Sequence, residues 1–373
     1  MAKIVFIYLE EPYFIFHSIG LAIDLDKRQG NEVSILFNSR NEWHIKDILP
    51  ANHSIKLIRV NPYWYIRLPL YVEVKLNYRK SIFKKYKKIF LEQDVFISSL
   101  YNDLIIRDEI APKKILMIYT AHGPANGPYC FNDLVKKFDY FFCASKKEVE
   151  IRREMGQIKS KNYCIGGYLK LDSAKPDKVN LFSNNEEVVL YNPHWEKKLT
   201  SFFKHGFDIL NYFKDHPNMN LIFAPHALLT KRNILLRWRL KNYEKYPNIH
   251  MDYGSKKSHD FSYTQAADIY LGDVSSQALE FCLIELRKCI FIDVNKNKGS
   301  DYISWSLGKV YSTGFNIENA LNEIDTLYDD NYKAKQKSII EDVFTIPKEK
   351  SSTEFFADGL SEFIALELGE KNV

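Results

Sequence analysis

Thirteen short runs of β-branched and aromatic residues, separated by segments of helical period, constrain this chain more than any other feature. The first seven are 3–9, 33–38, 55–60, 95–99, 115–121, 140–145 and 163–168. A polar, Pro-containing stretch without periodicity then runs from 170 to 187. The pattern restarts with 188–194, 221–227, 249–253, 269–273, 289–294 and 309–314. Strands that alternate with helices predict parallel sheets covered by helices on both faces. Two such series joined by a linker predict two doubly wound, Rossmann-like α/β domains facing a cleft. The expected boundaries are 1–172, a linker at 173–187, a second domain at 188–350 and an amphipathic closing helix within 351–373. In open sheets of this kind, ligands bind outside the carboxyl ends of the strands.

The 373 residues are 46% hydrophobic and 14% aromatic, enough apolar mass for two cores. No apolar run approaches the ~18 residues of a membrane span. The N-terminal MAKIVFIYLE lacks the pattern of a signal peptide. Cysteines 130, 143, 164, 282 and 289 form no CxxC pair and read as reduced core thiols of a cytosolic protein. The net charge of +5 is mild but uneven. Lys75, Arg79, Lys80, Lys84, Lys85, Lys87 and Lys88 are interleaved with Tyr78, Phe83 and Tyr86, downstream of the aromatic stretch 62–71. Basic and aromatic residues together over 62–90 suit an anionic membrane surface; a solvated helix face over an aromatic core contact is the plainer reading. No nucleic-acid-binding motif accompanies these charges.

Three polar motifs directly follow predicted strands: TAHGPANG (120–127), FAPHALL (223–229) and GDVSSQALE (272–280). A single histidine after a strand is commonly a hydrogen-bonded loop residue. His122 and His226, at strand ends in different predicted domains, together point to function. In the third motif Asp273 ends a strand, and Ser275 and Ser276 open a helix whose N-terminus suits a phosphate. Glu280, one turn further in, can accept from a ribose diol. The same residues also suit an ordinary capped helix, with Asp273 or Ser275 as N-cap and Glu280 as capping partner.

In this order and spacing the motifs resemble the CDP-glycerol glycerophosphotransferase family, the teichoic acid primases and polymerases. The matching residues are His122-Gly123, YNPHWEK (191–197), Pro225-His226 and GDVSSQALEF (272–281), and the resemblance spans about residues 114–330. It implies a GT-B-like fold. It implies His122 as general base on an acceptor hydroxyl, with Gly123 beside it. It also implies His226 as a second catalytic residue, with His226, Ser275, Ser276 and Gly123 on the donor's phosphates and Glu280 and Asp273 on the nucleotide. The donor it implies is CDP-glycerol or a related CDP-polyol, and no further cofactor and no metal are expected. The acceptor it implies is glycan or lipid-linked, at the inner face of the cell membrane. Where many family members carry Thr and Arg, this chain has His194 and Glu196, which leaves Lys197, Lys198 or Lys231 to supply positive charge. His194 is accordingly either a donor contact or a loop histidine. Transfer of a sugar from a UDP- or CMP-linked donor is the competing reading.

Overall fold

The computed structural model describes residues 1–62, 74–111, 113–124, 127, 131–159, 161–231, 233–296 and 302–369, without the side chains of 74–77. The chain divides into two compact units. Residues up to about 174, together with those from Val343 onward, form the first, and Lys175–Asp342 form the bulk of the second.

Among the described residues, the first unit is built on seven strands: β1 (Ala2–Tyr8), β2 (Asn31–Phe37), β3 (Lys56–Arg59), β4 (Val95–Ser98), β5 (Leu116–Tyr119), β6 (Tyr140–Cys143) and β7 (Tyr163–Ile165). Their order is β3-β2-β1-β4-β5-β6-β7, and every pairing is parallel. Alternate residues of β1 enter separate cores, because successive side chains of a strand point to opposite faces. Ile4, Phe6 and Tyr8 pack on one side and Val5 and Ile7 on the other. Such strands are buried on both faces and read as continuous apolar runs, which is why they stand out in the sequence.

Among the described residues, the second unit has six parallel strands: β8 (Val188–Asn192), β9 (Asn220–Phe223), β10 (Ile249–Met251), β11 (Ile269–Gly272), β12 (Lys288–Ile292) and β13 (Lys309–Tyr311). Their order is β10-β9-β8-β11-β12-β13. Helix Phe202–Asp215 buries Phe202, Gly206, Ile209, Leu210 and Phe213. That spacing makes one apolar stripe along a helix, which packs with β8 and β9 in a shared core.

Both sheets start in the middle, grow outward in one direction, then return to grow in the other. The reversal falls between β1 and β4 in the first and between β8 and β11 in the second. At such a point the loops leave in opposite directions and open a crevice at the carboxyl ends.

The closing helix is Ser352–Gly369. Its start is a capping box: Ser351 N–H donates to Glu354 Oε2 at 3.0 Å and Glu354 N–H donates to Ser351 Oγ at 3.1 Å. Phe356, Ala357, Leu360 and Ile364 pack into the first unit's core with Tyr140 and Phe142, and Arg28 pairs with Asp358 at 2.7 Å. The return to the first unit begins at Val343 rather than near 350, because the segment is held by first-unit atoms from there on, as in Thr345 N–H to Ala144 O at 2.8 Å.

The basic stretch of the first unit divides in the structure. Lys80, Lys84, Lys85, Lys87 and Lys88 are exposed, whereas Arg79 and Phe83 are buried. Arg79 therefore belongs to an internal ion-pair cluster and Phe83 to a core, and neither belongs to a surface patch. The aromatic residues 63–71 lie outside the described residues. The four described cysteines are unbridged. Among the described residues, no helix is long and apolar enough to cross a membrane.

Candidate functional site

Each reversal point gathers polar side chains. In the first unit, β5 ends at Tyr119 and Thr120 N–H still donates to Ser98 O at 3.1 Å. The chain then turns sharply, with Ala121 at φ 55° and Gly123 at φ 148°. A non-glycine residue in the left-handed region is held there by its surroundings at a cost of about 1–3 kcal/mol, and such residues cluster at functional sites. The turn points His122 back toward β4, with its Nδ1 3.2 Å from the carbonyl oxygen of Ser99. A carbonyl only accepts, so Nδ1 carries the proton and Nε2 of the neutral ring is a bare acceptor. Burial pushes the imidazole pKa below its ordinary value, against smaller opposing effects of the Ser99 carbonyl and the charge of Glu10. The Phe14 ring lies 5.3 Å from that of His122.

Glu10, just past β1, belongs to a buried cluster that sequence reading missed. Arg79 donates to Glu10 Oε1 at 2.5 Å and to Asp103 Oδ1 at 2.6 Å, and Ser98 Oγ donates to Asp103 Oδ2 at 2.5 Å. The two acidic residues directly after the first strand were the available signal; Arg79 had none, because its sequence neighbours are surface lysines.

In the second unit three segments converge at the β8/β11 reversal. Asp273, wholly buried at the end of β11, accepts the N–H of His194 at 2.8 Å and that of Ser201 at 3.0 Å. Burial pushes its pKa up to about 7 despite those donors. Both oxygens are thus turned to the loop after β8, so Asp273 holds that loop in place. His226 N–H donates to Pro193 O at 3.0 Å, tying the end of β9 to the same loop. The rings of His194 and His226 lie 6.0 Å apart, with Trp195 6.1 Å from His226.

The tautomers of this pair are opposite to that of His122. Glu196 N–H donates to His194 Nδ1 at 2.9 Å, and Leu228 N–H donates to His226 Nδ1 at 3.2 Å. Each Nδ1 is an acceptor, so each neutral ring carries its proton on Nε2. Burial lowers the His194 pKa to about 4, which keeps it neutral at pH 7.

Ser275 is the N-cap of helix Ser276–Ile284, its Oγ accepting Gln277 N–H at 3.1 Å. The capping reading is therefore correct for Ser275, and the helix end it shapes still offers the first-turn N–H groups and their partial positive charge. Ser276 is half-buried at the first helical position, Glu280 is buried one turn in, and Lys197 is exposed on the loop after β8. The structure thus brings His194, His226 and Asp273 together around one loop, with Ser275 two residues after Asp273.

Gly254, after β10, has φ 104°, and a Cβ there would lie 2.6 Å from the Cβ of Ala227, the residue after His226. Gly254→Ala is expected to lower unfolding free energy by about 1–3 kcal/mol in urea titration. The same change is expected to displace the His226 segment.

Two doubly wound parallel units, each with its polar residues at the carboxyl ends of its strands, define a two-domain, GT-B-like α/β fold. Among solved structures the chain is similar to the wall teichoic acid polymerase TagF, with TM-score 0.65 and 15% identity, over 98% of this chain and 90% of that one. It is similar to S. aureus MnaA solved with UDP, with TM-score 0.66 and 11% identity over 98% of each chain. It is also similar to a putative UDP-N-acetylglucosamine 2-epimerase from Listeria monocytogenes, with TM-score 0.68 and 12% identity, over 99% of this chain and 97% of that one. No protein-family model and no curated protein matches the sequence. At such identities the likeness concerns the fold, and one fold hosts many chemistries.

Proposed function

We propose that this protein is a transferase that moves a polyol phosphate, glycerol phosphate from CDP-glycerol in the first instance, to a hydroxyl of a glycan or lipid-linked acceptor and releases CMP. The opposed histidine tautomers carry the reading. A base needs a bare nitrogen, which His122 offers in the first unit, and a phosphate needs N–H donors, which His194 and His226 offer in the second.

In this scheme His122 Nε2 accepts the proton of the acceptor hydroxyl, and its lowered pKa keeps it unprotonated near neutral pH. General-base help of this kind is worth about 10²–10⁴-fold. The hydroxyl oxygen bonds to the β-phosphorus, and the bond from that phosphorus to the bridging oxygen breaks, so the electron pair leaves with CMP. The Nε2–H groups of His226 and His194, the hydroxyls of Ser275 and Ser276 and their helix N-terminus donate to the phosphates. Glu280 is assigned to the ribose and Lys197 to the donor's outer charge. Asp273 shapes the loop that presents His194. The likeness to TagF, which has been solved in variant form after a CDPG soak, supports a cytidine donor and a role in cell-envelope polymers of the teichoic acid or capsule type. The reaction then belongs at the inner face of the membrane.

The likeness to MnaA with UDP and to the 2-epimerase favours a second reading, in which the same grip holds a UDP-sugar. Purified protein offered CDP-glycerol, CDP-ribitol and UDP-sugars with a lipid-linked acceptor separates the two. Under the first reading CMP appears with a CDP-polyol, together with a new phosphodiester signal in phosphorus NMR. Turnover of a UDP-sugar alone overturns that reading, and sugar conversion without acceptor identifies an epimerase.

A further inference from the structure

Helix Ile234–Leu240 of the second unit presents its apolar side chains in two opposite directions. Leu236 and Leu240 are buried in the unit's core. Ile234, Leu235 and Trp238 are 81%, 77% and 70% exposed. At about 100° per residue these three fall within one arc of the helix, and Arg237 and Arg239 border that arc on either side. The Arg237 guanidinium lies 5.1 Å from the Tyr253 ring and that of Arg239 lies 4.2 Å from the Phe207 ring, which holds both charges on the flanks. Lys231, Lys241 and Lys245 add exposed positive charge along the same segment, and Glu244 is its one acidic residue.

Three large apolar side chains exposed within about one helical turn mark an interaction surface rather than ordinary surface scatter. The charge pattern selects the partner. An apolar centre with tryptophan, bordered by arginine and lysine, matches a lipid interface, where the centre enters the acyl boundary and the rim meets anionic headgroups. A second copy of the chain would bring two basic rims face to face. We propose that this face seats the second unit on an anionic phospholipid bilayer. The helix begins eight residues beyond His226, so seating holds the histidine pair close to the headgroups. The docking itself does not depend on which donor is used.

The test is co-sedimentation of the full chain with phosphatidylcholine vesicles, with and without phosphatidylglycerol. The wild type is expected to bind the anionic vesicles, to bind neutral ones far less, and to release with salt. Ile234→Ser, Leu235→Ser and Trp238→Ser in one chain are expected to lower binding more than about tenfold, and Arg237→Gln with Arg239→Gln by about tenfold. If the triple variant melts earlier than the wild type, Trp238→Phe serves instead and is expected to remove the blue shift of tryptophan emission on vesicle addition. Unchanged binding by the triple variant, or an unchanged blue shift in Trp238→Phe, overturns the proposal and moves the contact to the Lys84–Lys88 surface. Failure of the wild type to bind anionic vesicles overturns it as well, as does a wild-type dimer dispersed by the triple change. None of these measurements requires turnover, so they stand apart from the donor experiment.

Discussion

His122→Ala is expected to lower kcat with a CDP-polyol donor by about 10²–10⁴-fold while leaving the urea unfolding midpoint near that of the wild type. The ring is half-buried and makes one long hydrogen bond, to the Ser99 carbonyl at 3.2 Å, so its removal disturbs little packing. The role proposed for it rests on Nε2, which the Ser99 bond leaves bare. Two further readouts separate a base from a merely structural residue. Added imidazole is expected to restore part of the lost rate in the Ala variant. In the wild type, kcat/KM is expected to rise with pH and level off below the ordinary histidine value of 6.5, because burial lowers the pKa. Unchanged turnover in the Ala variant, or a rate insensitive to pH through that range, removes the role assigned to His122.

The second large effect is on stability. Asp273→Ala leaves the N–H groups of His194 and Ser201 without their acceptor in a buried loop. An unsatisfied buried donor costs about 1–3 kcal/mol, so the two together are expected to lower unfolding free energy by about 3 kcal/mol or more. The same carboxyl makes stability depend on pH. Its pKa in the folded chain is about 7, against 3.8 for the ordinary group. The folded state therefore holds the proton through a range in which the unfolded state has lost it. The stabilisation is fully present below pH 3.8, declines as pH rises, and is lost above about pH 7. A shift of that size corresponds to about 4 kcal/mol across the window. Denaturant titrations of wild type and Asp273→Asn from pH 4 to pH 8 measure the difference. The wild type is expected to lose stability relative to the Asn variant as pH rises; parallel curves would show that the carboxylate is as well solvated folded as unfolded.

How far the sequence could be read followed the physics of each element. All thirteen described strands were recognisable, the central ones because a strand buried on both faces is apolar throughout, and the edge strand Lys56–Arg59 by its apolar centre between exposed ends. Their carboxyl ends were placed too far along: 188–194 against Val188–Asn192, and 221–227 against Asn220–Phe223. There the chain leaves the sheet while Pro193, Ala224 and Pro225 stay buried, so the apolar signal outlasts the hydrogen-bonded ladder. Arg79 read as one more surface charge, because its ion-pair partners Glu10 and Asp103 are 69 and 24 residues away. The closing helix was visible from its own period, but not the unit that receives it.

By itself the sequence determined two parallel α/β units, a break near 175 and histidines at strand ends, since these follow from local periodicity and turn chemistry. Tertiary structure alone decided what surrounds the candidate site residues. A histidine's tautomer depends on which group meets its Nδ1, and for His122 that group is a carbonyl 23 residues earlier. In the sequence Asp273 reads as either a nucleotide contact or a helix N-cap. It becomes the support of the His194 loop only because β8 and β11 lie side by side, bringing backbone N–H groups 79 and 72 residues distant onto its carboxylate.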